Sequence, residues 1–188
     1  MGAAYVSNIR GVENPTVALL NIGEEATKGG EHMQSAFKLL KNTPNLNFVG
    51  NVEGKDILRG VVDVVVTEGF VGNIVIKTLE GAARSLRQLT KMAFKARIAW
   101  KLGLLFLRKG LNMLKEITDY AEYGGAPLLG FEKMVIIAHG RSNEKAISNA
   151  IKVAGKCVRD DVCGQIKNYI TELEGKSGLE YERLSQDL

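Results

Sequence analysis

The chain has 188 residues, 45% hydrophobic and 24% charged, with 25 Lys and Arg against 21 Asp and Glu. Those fractions fit one globular domain with a real core and exclude a disordered tail, and a formal charge of +4 is too small to nominate nucleic acid as a partner. The longest apolar run, near Leu102–Leu107, falls far short of the ~18–20 residues of a membrane span, and Met1–Arg10 lacks the apolar core of a secretory signal.

In chain order, Val17–Leu20 is a short continuous apolar run of buried-strand type, followed by a polar, glycine-bearing loop to Gly30. Glu31–Leu40 carries Met33, Ala36, Phe37 and Leu40 at helical spacing. Leu46–Val49 reads as the next strand, ending in Gly50. Val61–Thr67 is rich in β-branched residues and is the most strand-like segment. It leads through Glu68–Asn73 into a long helix from about Ile74. Lys133–Ala138 is a last strand, and His139–Asn143 then precedes a helix to about Glu174.

Strands alternating with helices predict an α/β domain around a mostly parallel, four-stranded sheet, spanning 1–188 with a polar tail at 175–188. In such sheets ligands sit beyond the carboxyl ends of the strands. There the loops Asn21–Gly30, Gly50–Gly54, Glu68–Asn73 and His139–Asn143 are all polar and glycine-bearing, which accounts for much of a glycine count of 21 beside only 3 prolines.

Three residues in these loops are candidates for chemistry, each with a plainer alternative. Lys28, with the backbone amides of its loop and the helix that follows, is suited to hold an anion, or is a solvated lysine on an ordinary connection. The loop is neither a Walker loop nor a GxGxxG turn, so a dinucleotide site has no fingerprint. Asn73, beside Gly69 and Gly72, either caps the helix or donates to an anionic oxygen. His139 is either a structural histidine or a third group facing the same crevice. Lysine, amide and imidazole together suit an anionic transition state better than redox chemistry. Neither a Ser-His-Asp arrangement nor a carboxylate pair is evident. Cys157 and Cys163, six apart in a segment read as helix, predict two small core residues in a reducing compartment rather than a disulfide or a metal site.

The net charge conceals a strong asymmetry. Gly81–Lys115 carries nine basic residues and no acidic one, which leaves 16 basic against 21 acidic residues elsewhere. Basic Lys101, Arg108 and Lys109 are interleaved there with Phe94, Ile98, Trp100, Leu104, Leu105 and Phe106. The pattern predicts a basic amphipathic helical insertion over 84–116, broken into a pair at Gly103 or Gly110. It either lies against an anionic membrane surface or forms a dimerisation or core helix pair.

Several blocks taken together resemble a known family. Asn21-Ile22-Gly23-Glu24-Glu25-Ala26-Thr27-Lys28-Gly29, Asn47–Gly54, Asp63–Asn73, Tyr123–Gly130 and Val135–Ser142 with Ala138-His139-Gly140 are similar, in order, to the bacterial phosphate acyltransferase family, PlsX. The resemblance implies a Rossmann-like three-layer α/β/α sandwich with a protruding helical pair. It also implies transfer of a fatty acyl group from acyl carrier protein to inorganic phosphate, giving acyl phosphate for phospholipid synthesis. The implied catalytic set is Lys28, Asn73 and His139, with Gly23, Thr27, Gly29, Gly72, Gly140 and Ser142 at the phosphate and substrate. No cofactor or metal enters this scheme. The family's members are cytoplasmic homodimers that touch the membrane peripherally. The family's opening strand and Asp-Ala-Met-Gly-Gly-Asp motif are absent, so the chain corresponds to its carboxyl-terminal portion. The alternative expectation is therefore an inactive fragment serving only as a membrane-surface or dimerisation module.

Overall fold

The computed structural model describes residues 1–96 and 124–171. The first element is a helix, α1 (Gly2–Arg10), followed by strand β1 (Val17–Leu20). Then come helix α2 (Glu31–Asn42), strand β2 (Phe48–Val52), the short helix α3 (Gly54–Ile57) and strand β3 (Val64–Val66). The long helix α4 (Gly69–Ala96) follows, then strands β4 (Ala126–Leu128) and β5 (Val135–Ile137), helix α5 (Glu144–Arg159) and a last helix α6 over 162–171.

The three amino-terminal strands form one parallel sheet in the order β2-β1-β3. Central β1 is buried along its whole length, which is why it reads as an unbroken apolar run. The pairing with β2 skips Val49, Val17 standing against Phe48 and Ala18 against Gly50. Phe37 of α2 meets Phe48 of β2 edge-on, with ring centroids 5.2 Å apart, so α2 covers the β2 side of the sheet. At the opposite, amino-terminal edge, the Thr16 N–H and hydroxyl donate to Asp63 Oδ2 at 2.8 and 2.7 Å.

The expected fourth parallel strand is not one. β5 pairs antiparallel with β4 in a separate two-stranded sheet. Lys133–Ala138 reads as a last strand of the parallel sheet, but Val135 and Ile137 are exposed and only Ile136 turns inward, as at a sheet edge. A second core lies beneath this ribbon, where Cys157, Val162 and Ile166 are buried against Tyr5, Ile9, Leu129 and Met134. Lys156 Nζ donates to Ile9 O at 2.5 Å and so closes the end of α1. The helix expected to run to Glu174 instead breaks after Arg159, where Asp161 takes a left-handed φ of 46°. Cys157 and Cys163 thus lie on different helices, both as free thiols, the first buried and the second half-buried. The polar tail at 175–188 lies outside the described residues.

Candidate active site

The parallel register brings the carboxyl ends of β1, β2 and β3 to one edge, and with them the loop 21–30, Glu53 at the start of α3, and the loop 67–68. The Lys28 loop is the most constrained of these. Asn21, at the end of β1, donates from Nδ2 to Lys28 O at 3.0 Å and accepts the Ile22 N–H at 2.8 Å. Gln34 of α2 donates to Thr27 O at 2.8 Å and to Gly29 O at 3.2 Å. Asn51 of β2 donates to Glu25 O at 2.8 Å. Gly29 has a φ of 83°, and a Cβ there would fall 2.9 Å from Asn21 Oδ1 and 2.8 Å from Met33 Cβ. Only glycine fits that position without displacing the Asn21 clasp.

Lys28 is exposed, and its ammonium lies 3.8 Å from Glu25 Oε1. An exposed pair at this distance is worth little and is readily surrendered to a stronger anion. Gly23 is buried beneath the lysine stem, where a Cβ would meet Lys28 Cγ at 2.9 Å, while Thr27 is exposed. Neighbouring Lys55 is 2.6 Å from Glu53 and 3.9 Å from Glu24, and the bond to Glu53 raises its pKa. Lys55 is therefore engaged with acids, and Lys28 is the cation set closest to the loop amides.

Asn73 does not cap α4, because the helix begins at Gly69, five residues earlier than a cap there requires. Gly72 N–H already donates to Glu68 O at 2.8 Å, which starts the helical ladder before Asn73 is reached. Asn73 stands exposed in the second turn, its amide uncommitted to any described residue. Gly72 packs beneath Thr67, whose Cγ2 would lie 2.9 Å from an added Cβ.

His139 follows β5, not a strand of the parallel sheet, and no described contact joins it to Lys28 or Asn73. Its Nε2 lies 3.9 Å from Glu80 Oε2 on α4, and its Nδ1 accepts weakly from the Arg141 N–H at 3.4 Å. Glu80 also gathers Arg141 at 3.8 Å and Lys77 at 3.7 Å. Glu80 is seven residues past Asn73, about 10 Å along the same helix at 1.5 Å per residue. Gly140 has open space around it, and Ser142 N–H closes a turn onto His139 O at 2.8 Å with its own hydroxyl buried.

The residues that sequence reasoning passed over are Asn21, Gln34, Asn51 and Glu80. Their signals were faint. Glu80 is the sole acidic residue of α4, on a helix otherwise carrying cations. Asn51 is a polar residue inside a strand, 8% exposed, where an apolar one is expected.

Phe94 lies on α4, and Ile98, Trp100, Lys101, Leu104, Leu105, Phe106, Arg108 and Lys109 lie outside the described residues, as does most of the 84–116 insertion. No helix among the described residues is long and apolar enough to cross a membrane. Among them, no three His, Cys, Asp or Glu side chains group as metal ligands.

Comparison with known proteins is consistent along most of the chain. Residues 1–165 match a family described as fatty acid synthesis protein. A phosphate acyltransferase of Desulfitobacterium hafniense is 54% identical over 168 residues, covering 89% of this chain and 50% of the relative. That of Dictyoglomus turgidum is 52% identical over 164 residues, 86% of this chain and 48% of its own. That of Halothermothrix orenii is 50% identical over 173 residues, 92% and 52% respectively. The chain spans about half the length of the curated relatives it matches, in their carboxyl-terminal part.

Proposed function

The chain belongs to the family of fatty acid synthesis proteins that includes the phosphate acyltransferases, and from that premise we propose that it moves a fatty acyl group from acyl carrier protein to inorganic phosphate. The product is an acyl phosphate for phospholipid synthesis. The observation that carries this is the placement of Lys28, on an amide-rich loop after β1, and of Asn73, in the second turn after adjacent β3, at the same edge of a parallel sheet. An ammonium with backbone N–H groups suits a phosphate, and an uncommitted side-chain amide suits a carbonyl oxygen gaining charge.

A phosphate oxygen attacks the thioester carbonyl, a C–O bond forms as the C–S bond breaks, and the thiolate leaves to take up a proton. Lys28 holds phosphate and offsets its charge, with Gly23, Thr27 and Gly29 shaping the loop around it. Asn73 donates to the oxyanion, and Gly72 lets substrate approach the start of α4. His139, with Gly140 and Ser142, protonates the thiolate or positions phosphate. The second role suits a ring whose Nδ1 faces Arg141 N–H and whose Nε2 faces Glu80. Holding both reactants in line converts a bimolecular reaction into an effectively unimolecular one.

The test is acyl phosphate formation from acyl carrier protein thioester and phosphate, with Lys28→Ala and Asn73→Ala. Each is expected to lose roughly 10²–10³-fold in rate, the usual effect of removing one such donor. Unchanged rates in both variants sink the assignment.

In the same reading the parallel strands are the centre of a Rossmann-like three-layer sandwich. The protein is a cytoplasmic homodimer, and its 84–116 helical pair rests on anionic membrane, where the hydrophobic product is consumed. Support comes from the nine basic residues and absent acids of Gly81–Lys115. Liposome co-sedimentation should depend on anionic lipid and fall with Trp100→Glu. Indifference to both refutes membrane contact.

A further inference from the structure

We infer that Asn21, Gln34 and Asn51 are positioning residues that turn the Lys28 loop into an anion receptor, an inference that rests on the phosphate role given to that loop. Three neutral amides, one at the start of the loop itself, one on α2 and one on β2, donate to carbonyls of the ten-residue loop 21–30. Asn51 takes Glu25 O, Gln34 takes Thr27 O and Gly29 O, and Asn21 takes Lys28 O.

The consequence follows from peptide geometry. In a trans peptide the C=O of one residue and the N–H of the next point in opposite directions. Carbonyls drawn back to the protein body by side-chain amides therefore turn the following N–H groups away from it. The N–H groups so placed are those of Ala26, Gly29 and Gly30, and none of the three has a partner among the described residues. The Lys28 N–H is the exception, being spent on Glu25 O at 3.1 Å. Three outward amides beside the Lys28 ammonium form a concavity of donors that favours an anion.

The choice of amides is chemically specific. A carboxylate has no proton to donate to a carbonyl, and an ammonium or guanidinium there would draw the anion away from the loop. A neutral donor does the work with no charge of its own. Asn51 shows that the arrangement carries a cost in stability. It is buried in β2, and while its Nδ2 reaches Glu25 O, its Oδ1 makes no hydrogen bond among the described residues. An isosteric apolar residue would remove that buried acceptor, which offsets the lost bond to Glu25 O, a carbonyl that keeps the Lys28 N–H as a second donor.

The experiment is a calorimetric titration of the whole 188-residue chain with inorganic phosphate, using Gln34→Met, Asn51→Leu and Lys28→Ala, with melting curves and hydrogen exchange of the 21–30 loop alongside. Gln34→Met and Asn51→Leu are each expected to weaken phosphate binding about fivefold, the usual effect of one lost hydrogen bond. Loop amides should exchange faster while melting temperature holds or rises for Asn51→Leu. Loss of affinity without loss of stability is the signature that a merely structural role would not give. If Lys28→Ala weakens binding and both amide variants bind as the unmodified chain does, the positioning role is overturned and the phosphate site stands. If the unmodified chain binds no phosphate, or Lys28→Ala leaves its affinity unchanged, the phosphate reading falls and the positioning role with it. Gln34 is only partly buried on α2, so its variant keeps the test decisive should Asn51→Leu fail to fold.

Discussion

Gly124→Ala should be among the most damaging single-methyl additions this chain can suffer. Gly124 is buried with a φ of 76°, and a Cβ placed on it would lie 2.3 Å from Ala150 N, 2.5 Å from Asn149 C and 2.8 Å from Ala150 Cα. All three atoms are backbone of α5, so no side chain can swing aside. The nearest approach is about 1 Å inside ordinary contact, and α5 cannot retreat that far without uncovering Ala146, Ala150 and Cys157, all buried on it. The left-handed backbone adds about 1–2 kcal/mol for a residue with a Cβ, and overpacking adds about 1–3. A loss of about 2–5 kcal/mol is a large part of the ~5–15 kcal/mol that holds a domain together. In a chain of this size that lowers the melting temperature by roughly 4–20 °C. Gly81→Ala is the matched control. It sits exposed inside α4 with open space around it and no positive φ, and helix propensity predicts a gain of about 1 kcal/mol. Urea denaturation of both, followed by circular dichroism, should give shifts of opposite sign. A Gly124→Ala variant within ~0.5 kcal/mol of the parent refutes the close packing of 124 on α5.

Two further outcomes follow from groups with displaced titration. Hydrogen bonds from Thr16 hold Asp63 below the usual carboxylate range, so it stabilises the fold above about pH 4 and loses that contribution as acid protonates it. Asp63→Asn should flatten the acid limb of a stability–pH curve, and an unchanged acid limb would remove Asp63 from its causes. Burial raises the Cys157 thiol, so iodoacetamide at pH 8 should label half-buried Cys163 well before Cys157 in folded protein. Equal labelling rates, read by mass spectrometry, would contradict the buried cluster around Cys157.

What the sequence made legible depended on where each signal resided. β1 and α2 stand out because their own residues decide them, through a continuous apolar run and a helical stripe. The start of α5 was equally plain, since Asn143 caps it by accepting from Ala146 N at 2.9 Å. The reading of β2 stopped at Val49 because Gly50-Asn51 looks like a turn, whereas Asn51 belongs to the strand through its bond to Glu25 in another loop. β4 was missed because Pro127 argues against a strand except at a sheet edge, which is where it lies. α1 has no clear apolar stripe and no buried residue of its own. Among the candidate site residues, Lys28 follows β1 as the strand pattern implies. Of the two readings of Asn73, the helix that begins at Gly69 removes the cap and leaves the donor. The partners of His139 on α4 required the tertiary fold.

The two ends of the parallel sheet give a physical ground for chemistry at the carboxyl end that does not depend on the topological rule. At the amino-terminal end, polar groups satisfy one another. Thr16 gives its N–H and hydroxyl to Asp63 Oδ2, and Asp63 N–H returns a bond to Thr16 Oγ1 at 3.0 Å. Beside them Val17 N–H reaches Asn47 O at 2.9 Å, and Asn47 Nδ2 reaches Asn14 O at 3.1 Å. At that end each of these donors is spent on a neighbouring acceptor. At the carboxyl end the same kinds of side chain, Asn21 and Asn51 with Gln34, donate to four loop carbonyls while accepting one N–H, that of Ile22, and so leave a surplus of N–H groups. An edge that binds up its acceptors and keeps its donors is biased toward anions before any substrate is named. A phosphate meeting both ends of this sheet has a reason to stay at only one of them.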